Sequence, residues 1–157
     1  MPGARILLVE DDEVLRDLMA RNLQVRGHEV QVADNAQSAL ATLRVTPVDL
    51  VLLDINLPDE TGWEVLRIAK KHGWLHQQAL GGPTQCFPVV VLSAVRINPR
   101  RLAEFHPLAY LPKPFPIEAV LRLAAEAADR RNGSHVTEQK HEDDAYSAVV
   151  DEEDMYA

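Results

Sequence analysis

A chain of 157 residues, 46% hydrophobic and 25% charged, has the composition of a globular protein and is long enough for one full core. Its single cysteine, Cys86, excludes an internal disulfide and a multi-cysteine zinc site; no apolar run reaches bilayer length and none makes a secretory leader, so no membrane insertion and a cytoplasmic location are expected. The net charge of −8 is uneven, with 15 Lys/Arg against 16 Asp/Glu in residues 1–131 and one Lys against 8 Asp/Glu in 132–157, so the body is nearly neutral and offers no basic footprint for direct DNA binding.

The first element is Ile6-Leu7-Leu8-Val9, a continuous apolar run expected of a strand buried on both faces. The acidic cluster Glu10-Asp11-Asp12-Glu13 follows. A helix is predicted from there to about residue 26, with Asp12 as N-cap, Gly27 as stop, and Val14, Leu15, Leu18, Met19 and Leu23 at helical spacing. Residues 28–33 read as a strand near a sheet edge, and Asp34 or Asn35 caps a helix carrying Ala36, Ala39, Leu40 and Leu43. Residues 48–53 form the most hydrophobic strand, broken only by Asp49, and run into Asp54. A loop containing Asn56, Pro58 and Gly62 leads to a third helix over 63–72. Residues 73–87 read as a long irregular connection. A fourth strand over 88–92 ends at Ser93, a short helix over 98–105 has Pro99 in its first turn, and 109–111 is a fifth strand. Pro112-Lys113-Pro114 is a turn, and the last helix runs from Pro116 to about residue 131.

Alternating apolar strands and helices imply a parallel sheet covered on both faces. In such a sheet ligands bind beyond the carboxyl ends of the strands, where the strand order reverses. Glu10, Asp11, Asp54, Ser93 and Lys113 all fall at those ends and are expected on one rim. Three carboxylates about 4 Å apart repel by about 4 kcal/mol per pair at an effective dielectric near 20, so a proton or a cation must compensate. Hard oxygen ligands in a partly open site suit Mg²⁺. Carboxylates, a divalent cation, an ammonium and a hydroxyl together make a phosphoryl-transfer set, with Asp54 as the natural nucleophile.

Four strings then make the chain resemble the receiver domain of two-component response regulators, in the single-domain, chemotaxis-regulator style. They are Ile6-Leu7-Leu8-Val9-Glu10-Asp11-Asp12, Leu52-Leu53-Asp54-Ile55-Asn56-Leu57-Pro58 with Gly62 beyond, Val91-Leu92-Ser93-Ala94, and Tyr110-Leu111-Pro112-Lys113-Pro114-Phe115. The resemblance implies an α/β flavodoxin-like fold, a doubly wound five-stranded parallel sheet of order 2-1-3-4-5. It implies a receiver domain over 4–131; the charge distribution marks 132–157 beyond it as an acidic C-terminal extension, expected to be flexible or loosely docked. It implies that Asp54 is the phosphoacceptor and that Asp11 binds Mg²⁺ directly. Glu10 acts on the ion through water, and the Asn56 carbonyl is a further metal ligand. Lys113 pairs with the phosphoryl group, Ser93 and Tyr110 form a switch pair, and Lys113–Pro114 resembles a bond that is cis in the family. The implied partners are a sensor histidine kinase or histidine phosphotransfer protein and a downstream protein, and a homodimer stays open. The implied function is a stand-alone phosphorelay switch that catalyses its own phosphorylation and dephosphorylation and is not otherwise an enzyme. The alternative is a receiver-like binding module that works without phosphate. A phosphohydrolase of the haloacid dehalogenase type would want an acid where Asn56 stands. The pattern weakens between Ser93 and Lys113, where a short or displaced fourth helix is expected.

Overall fold

The computed structural model describes residues 2–80 and 82–133. The elements are β1 (Arg5–Val9), α1 (Glu13–Val25), β2 (Glu29–Ala33), α2 (Ala36–Val45), β3 (Leu50–Asp54), α3 (Gly62–Lys71), β4 (Phe87–Ser93), α4 (Pro99–Phe105), β5 (Pro107–Pro112) and α5 (Ile117–Gly133). The strands form one parallel sheet of order β2-β1-β3-β4-β5. This is the doubly wound flavodoxin-like arrangement expected from the sequence. The order reverses at β1, between β2 and β3, so the switch point lies beside the ends of β1 and β3.

Burial on both faces explains the near-continuous apolar strands. Leu7, Val9, Val51, Leu53, Val89 and Val91 pack under α2, α3 and α4, where Trp63 stacks on Phe105 at 5.7 Å between ring centroids. Ile6, Leu8, Leu50, Leu52, Val90 and Leu92 pack on the other face with Met19 and Leu23 of α1 and Val120 and Ala124 of α5. Alternate residues of each central strand therefore serve opposite layers.

The helix ends follow their caps. Asp12 accepts from Leu15 N–H, Asn35 from Ser38 N–H, Thr61 from Glu64 N–H and Asn98 from Arg100 N–H. Gly27 ends α1 in the left-handed region at φ 88°. Asn35, rather than Asp34, caps α2. Residues 73–87 gain one antiparallel bridge, Gln78 with Cys86. The fourth helix is short, as the sequence suggested, and stops at His106 in the left-handed region. β5 begins earlier than expected because Phe87 N–H bonds the His106 carbonyl and recruits Pro107 to the ladder.

Two expectations need correction. Val14 and Leu18, placed among the apolar positions of the first helix, are 80% and 52% exposed; only Met19, Ala20 and Leu23 of α1 are buried. The last helix runs past residue 131 to Gly133, because Arg131 and Asn132 donate to the carbonyls of Gly3 and Pro2. The acidic extension from 134 onward lies outside the described residues. Among the described residues, no helix is long and apolar enough to cross a membrane.

Candidate functional site

The rim expected from the sequence exists. Glu10 follows β1 directly, Asp54 and Ser93 are the last residues of β3 and β4, and Lys113 follows β5. The strand register sets Asp54 beside Leu92, one residue short of Ser93. Glu10, Asp11 and Asp54 each offer a carboxylate oxygen within 4.8 Å of the others, and Glu10 and Asp54 are buried while Asp11 is exposed. Lys113 Nζ lies 2.6 Å from Glu10 Oε1 and 3.1 Å from Asp54 Oδ2. The Lys113–Pro114 peptide is cis, and Lys113 N–H bonds the Ser93 carbonyl at 2.8 Å, which fixes the lysine backbone to the end of β4.

The charges do not balance. One ammonium faces two buried carboxylates, with a third at the mouth. Burial, followed by hydrogen bonding to Asp54, pushes the Glu10 carboxyl up to about 7, with the Lys113 charge working against that shift. Burial alone would lower the Lys113 ammonium, yet Glu10 and Asp54 outweigh burial and raise it. Glu10 Oε1 is buried without a hydrogen bond of good alignment, despite its ion pair to Lys113. A buried, under-satisfied carboxylate oxygen beside two more carboxylates is a donor set that fits a hard divalent cation.

Loop backbone groups hold the central aspartate. Asn56 N–H donates to Asp54 Oδ1 at 3.0 Å, and Asn56 pairs with Thr61 across the loop. Gly62 N–H donates to the Ile55 carbonyl at 2.8 Å. A Cβ on Gly62 would stand 2.7 Å from the Asp54 carbonyl oxygen, so only glycine lets the loop close on the strand end. Arg16 donates to the Glu10 carbonyl and Asp12 N–H to Glu10 Oε2, which orients the first acid.

Beside the acids, Ser93 Oγ donates to the Val95 carbonyl at 2.8 Å and accepts Val95 N–H at 3.1 Å. Tyr110 is buried, and its hydroxyl donates to the same Val95 carbonyl at 3.4 Å. Burial raises the Tyr110 phenol, against a smaller lowering by Arg96. Ser93 and Tyr110 thus share one acceptor, which no local pattern announces. Sequence reasoning also missed Asp59, whose carboxylate accepts Ala36 and Gln37 N–H at 2.8 and 3.0 Å and ties the loop after β3 to the start of α2.

A parallel sheet of this strand order, carrying clustered acids and a lysine at its carboxyl rim, defines a class of signalling domain. Residues 6–125 match the response regulator receiver domain family, and the chain belongs to it. A probable transcriptional regulatory protein of Picosynechococcus is 36% identical over 132 residues, 78% of this chain and 48% of that protein. The response regulator FleR of Pseudomonas aeruginosa is 32% identical over 128 residues, 80% of this chain and 25% of that protein. The chain thus spans between a quarter and a half of these relatives. Among solved structures, the non-phosphorylated HemR receiver domain from Leptospira biflexa aligns with TM-score 0.64 and 30% identity, over 82% of this chain and 94% of that one. A CheY-like receiver domain from Methanospirillum hungatei aligns with TM-score 0.66 and 27% identity, over 83% and 97%.

Proposed function

We propose that Asp54 is the phosphoacceptor of a two-component switch, served by the acids and lysine around it, in a receiver unit over 4–131 with 132–157 as its acidic extension. The observation that carries this reading is the meeting of Asp54, Glu10, Asp11 and Lys113 at one point, with Lys113 Nζ 3.1 Å from Asp54 Oδ2. An Asp54 carboxylate oxygen forms the new O–P bond while the N–P bond of a partner phosphohistidine breaks, or the acyl O–P bond of a small donor. The leaving imidazole or carboxylate keeps the electron pair of the broken bond. The Lys113 ammonium neutralises charge on the transferring group and holds it in line. Glu10, Asp11, Asp54 and the Asn56 carbonyl would hold Mg²⁺, which when bound neutralises further charge on the phosphoryl oxygens.

Ser93 and Tyr110 then read the modification. When the Ser93 hydroxyl turns to a phosphoryl oxygen, the Val95 carbonyl is left to Tyr110, whose donation at 3.4 Å is long. The tyrosine ring settles further inward and the surface of α4, β5 and α5 changes. The partners under this reading are a cytoplasmic histidine kinase or phosphotransfer protein and a downstream protein that recognises that surface. Attack of water on the acyl phosphate releases inorganic phosphate, returns the free Asp54 carboxylate and ends the signal; under this reading the domain is a switch that acts only on its own phosphoryl group.

Acetyl phosphate with Mg²⁺ is expected to add the mass of one phosphate to the intact chain. Omitting Mg²⁺ or replacing Asp54→Asn is expected to remove the increment. A folded wild-type chain that takes up no phosphate overturns the reading.

A further inference from the structure

The loop after β3 is anchored at both ends. Asn56 pairs with Thr61 across it, and Gly62 N–H bonds the Ile55 carbonyl. Its middle is exposed at Pro58, Asp59 and Glu60, while Leu57 packs half-buried on the core. Asp59 gives that middle a second attachment. Its Oδ1 accepts Ala36 N–H at 2.8 Å and its Oδ2 accepts Gln37 N–H at 3.0 Å, from the first turn of α2, 23 and 22 residues back in the chain. A helix start leaves such N–H groups without intrahelical partners, and a negative group there is favoured. Yet α2 already has its own cap in Asn35, which accepts Ser38 N–H at 2.7 Å. The Asp59 bonds therefore do more than start the helix; they fix the loop to it.

The helix end that Asp59 holds is itself tied to the acids. β2 ends at Ala33, whose carbonyl accepts Glu10 N–H at 3.0 Å, and Asp34 and Asn35 link Ala33 directly to Ala36. The other end of the path is Asn56, whose N–H holds Asp54 Oδ1 at 3.0 Å. Bonded groups therefore run from Asp54 through Asn56 and Asp59 to the start of α2, and on through Ala33 to Glu10. Lys113, paired with both Glu10 and Asp54, closes the ring. The Asp59 carboxylate is committed to α2 and is not among the acids that cluster at the site.

We propose that Asp59 is a positioning residue for the divalent ion: by clamping the loop to the N-terminal end of α2, it holds the Asn56 carbonyl in place for the ion that Glu10, Asp11 and Asp54 would share. A ligand on a tethered loop loses less freedom when a metal binds than one on a loose loop, so the tether raises affinity without touching the ion. This role presupposes the phosphoacceptor site proposed above and adds a residue outside it.

The test titrates Mg²⁺ alone, with no phosphodonor, into the full chain and follows the amide signals of Glu10, Asp11 and Asn56, the whole amide spectrum checking that the fold is intact. Asp59→Ala is expected to raise the Mg²⁺ dissociation constant about tenfold, the lower end of the effect of removing a group that orients a metal ligand. Asp59→Asn keeps one acceptor oxygen for α2 and is expected to recover part of that loss. Asn35→Ala removes the cap of α2 and leaves the loop alone; it is expected to lower the urea midpoint while Mg²⁺ affinity stays at the wild-type value. Unchanged affinity in Asp59→Ala overturns the proposal. So does an equal loss in Asn35→Ala, which assigns the effect to helix stability, or an equal loss in Asp59→Asn, which assigns it to charge alone. Acetyl phosphate separates this role from the reading beneath it. If the wild type takes up phosphate and Asp59→Ala binds Mg²⁺ as the wild type does, the Asp59 role falls and the phosphoacceptor reading stands. If the wild type binds no Mg²⁺ and takes up no phosphate, both fall.

Discussion

β3 ends in an aspartate and is preceded by another, and the two live in opposite electrostatic states. Asp49, one residue before the strand, accepts Arg5 N–H at 2.7 Å and both Nε and Nη2 of the Arg5 guanidinium, with Arg131 at 3.8 Å. Burial alone would raise its carboxyl, but the Arg5 bonds and the two cations outweigh burial and lower it. Asp54, at the strand's other end, shares one lysine with Glu10 and has Asp11 at the mouth. The lower carboxylate is satisfied and holds the base of the sheet together. The upper cluster keeps surplus negative charge in place, which the proposed phosphoacceptor role would use. A buried acid in a cleft therefore signals function when its partners leave it under-compensated, and signals architecture when they do not.

Matched substitutions sharpen this contrast. Asp49→Asn is expected to lose about 2 kcal/mol of unfolding free energy, the scale of hydrogen bonds to charged groups, while still accepting phosphate. Asp54→Asn relieves repulsion with Glu10 and is expected to keep or raise stability. Urea unfolding of both variants checks this, and equal losses would erase the distinction between the two ends.

Gly62→Ala comes next. The added methyl must push the Asp54 carbonyl or the loop aside, at a cost of about 1–2 kcal/mol. The displaced strand end should also slow phosphate uptake from acetyl phosphate. Denaturation midpoints and uptake rates, measured on the same preparation, would show whether the tight loop serves the site.

The smallest expected effect is a pH dependence of opposite sign at the two ends. His28 is buried, accepts Ala4 N–H at its Nδ1 at 3.0 Å, and is lowered from 6.5 by burial and then by the Arg26 charge. The unfolded chain therefore takes up this proton first, and stability from His28 falls as pH drops below about 6.5. Glu10 is raised from 4.5 to about 7, so the native state takes up that proton first. Its penalty on stability is fully present above about 7 and eases as pH falls toward 4.5. The His28 part appears as the difference between wild type and His28→Asn, whose side-chain oxygen can still accept Ala4 N–H. Parallel stability curves from pH 7.5 to 5.5 would remove His28 from the account.

Much of this was legible before the structure because it depends on strand ends. Glu10, Asp11, Asp54, Ser93 and Lys113 follow apolar runs, and a parallel sheet collects such positions on one rim. Contacts made across the fold were not legible. Asp49 reads locally as a flaw in an apolar strand, and its arginine stands 44 residues away. Asp59 reads as a turn residue, although it caps a helix 23 residues earlier in the chain. Val14 and Leu18 have the spacing of a core face, but the burial of Met19, Ala20 and Leu23 rotates α1 so that they face solvent. Composition alone does not set that rotation.

The central claim is that the surplus charge at the upper end of β3 exists to receive phosphate at one carboxylate. Peptide mapping by mass spectrometry after treatment with acetyl phosphate and Mg²⁺ tests it most directly. The account predicts one modified peptide, with the phosphate on Asp54. A phosphate on Asp11, Glu10 or Asp49, or none on the folded chain, would contradict it.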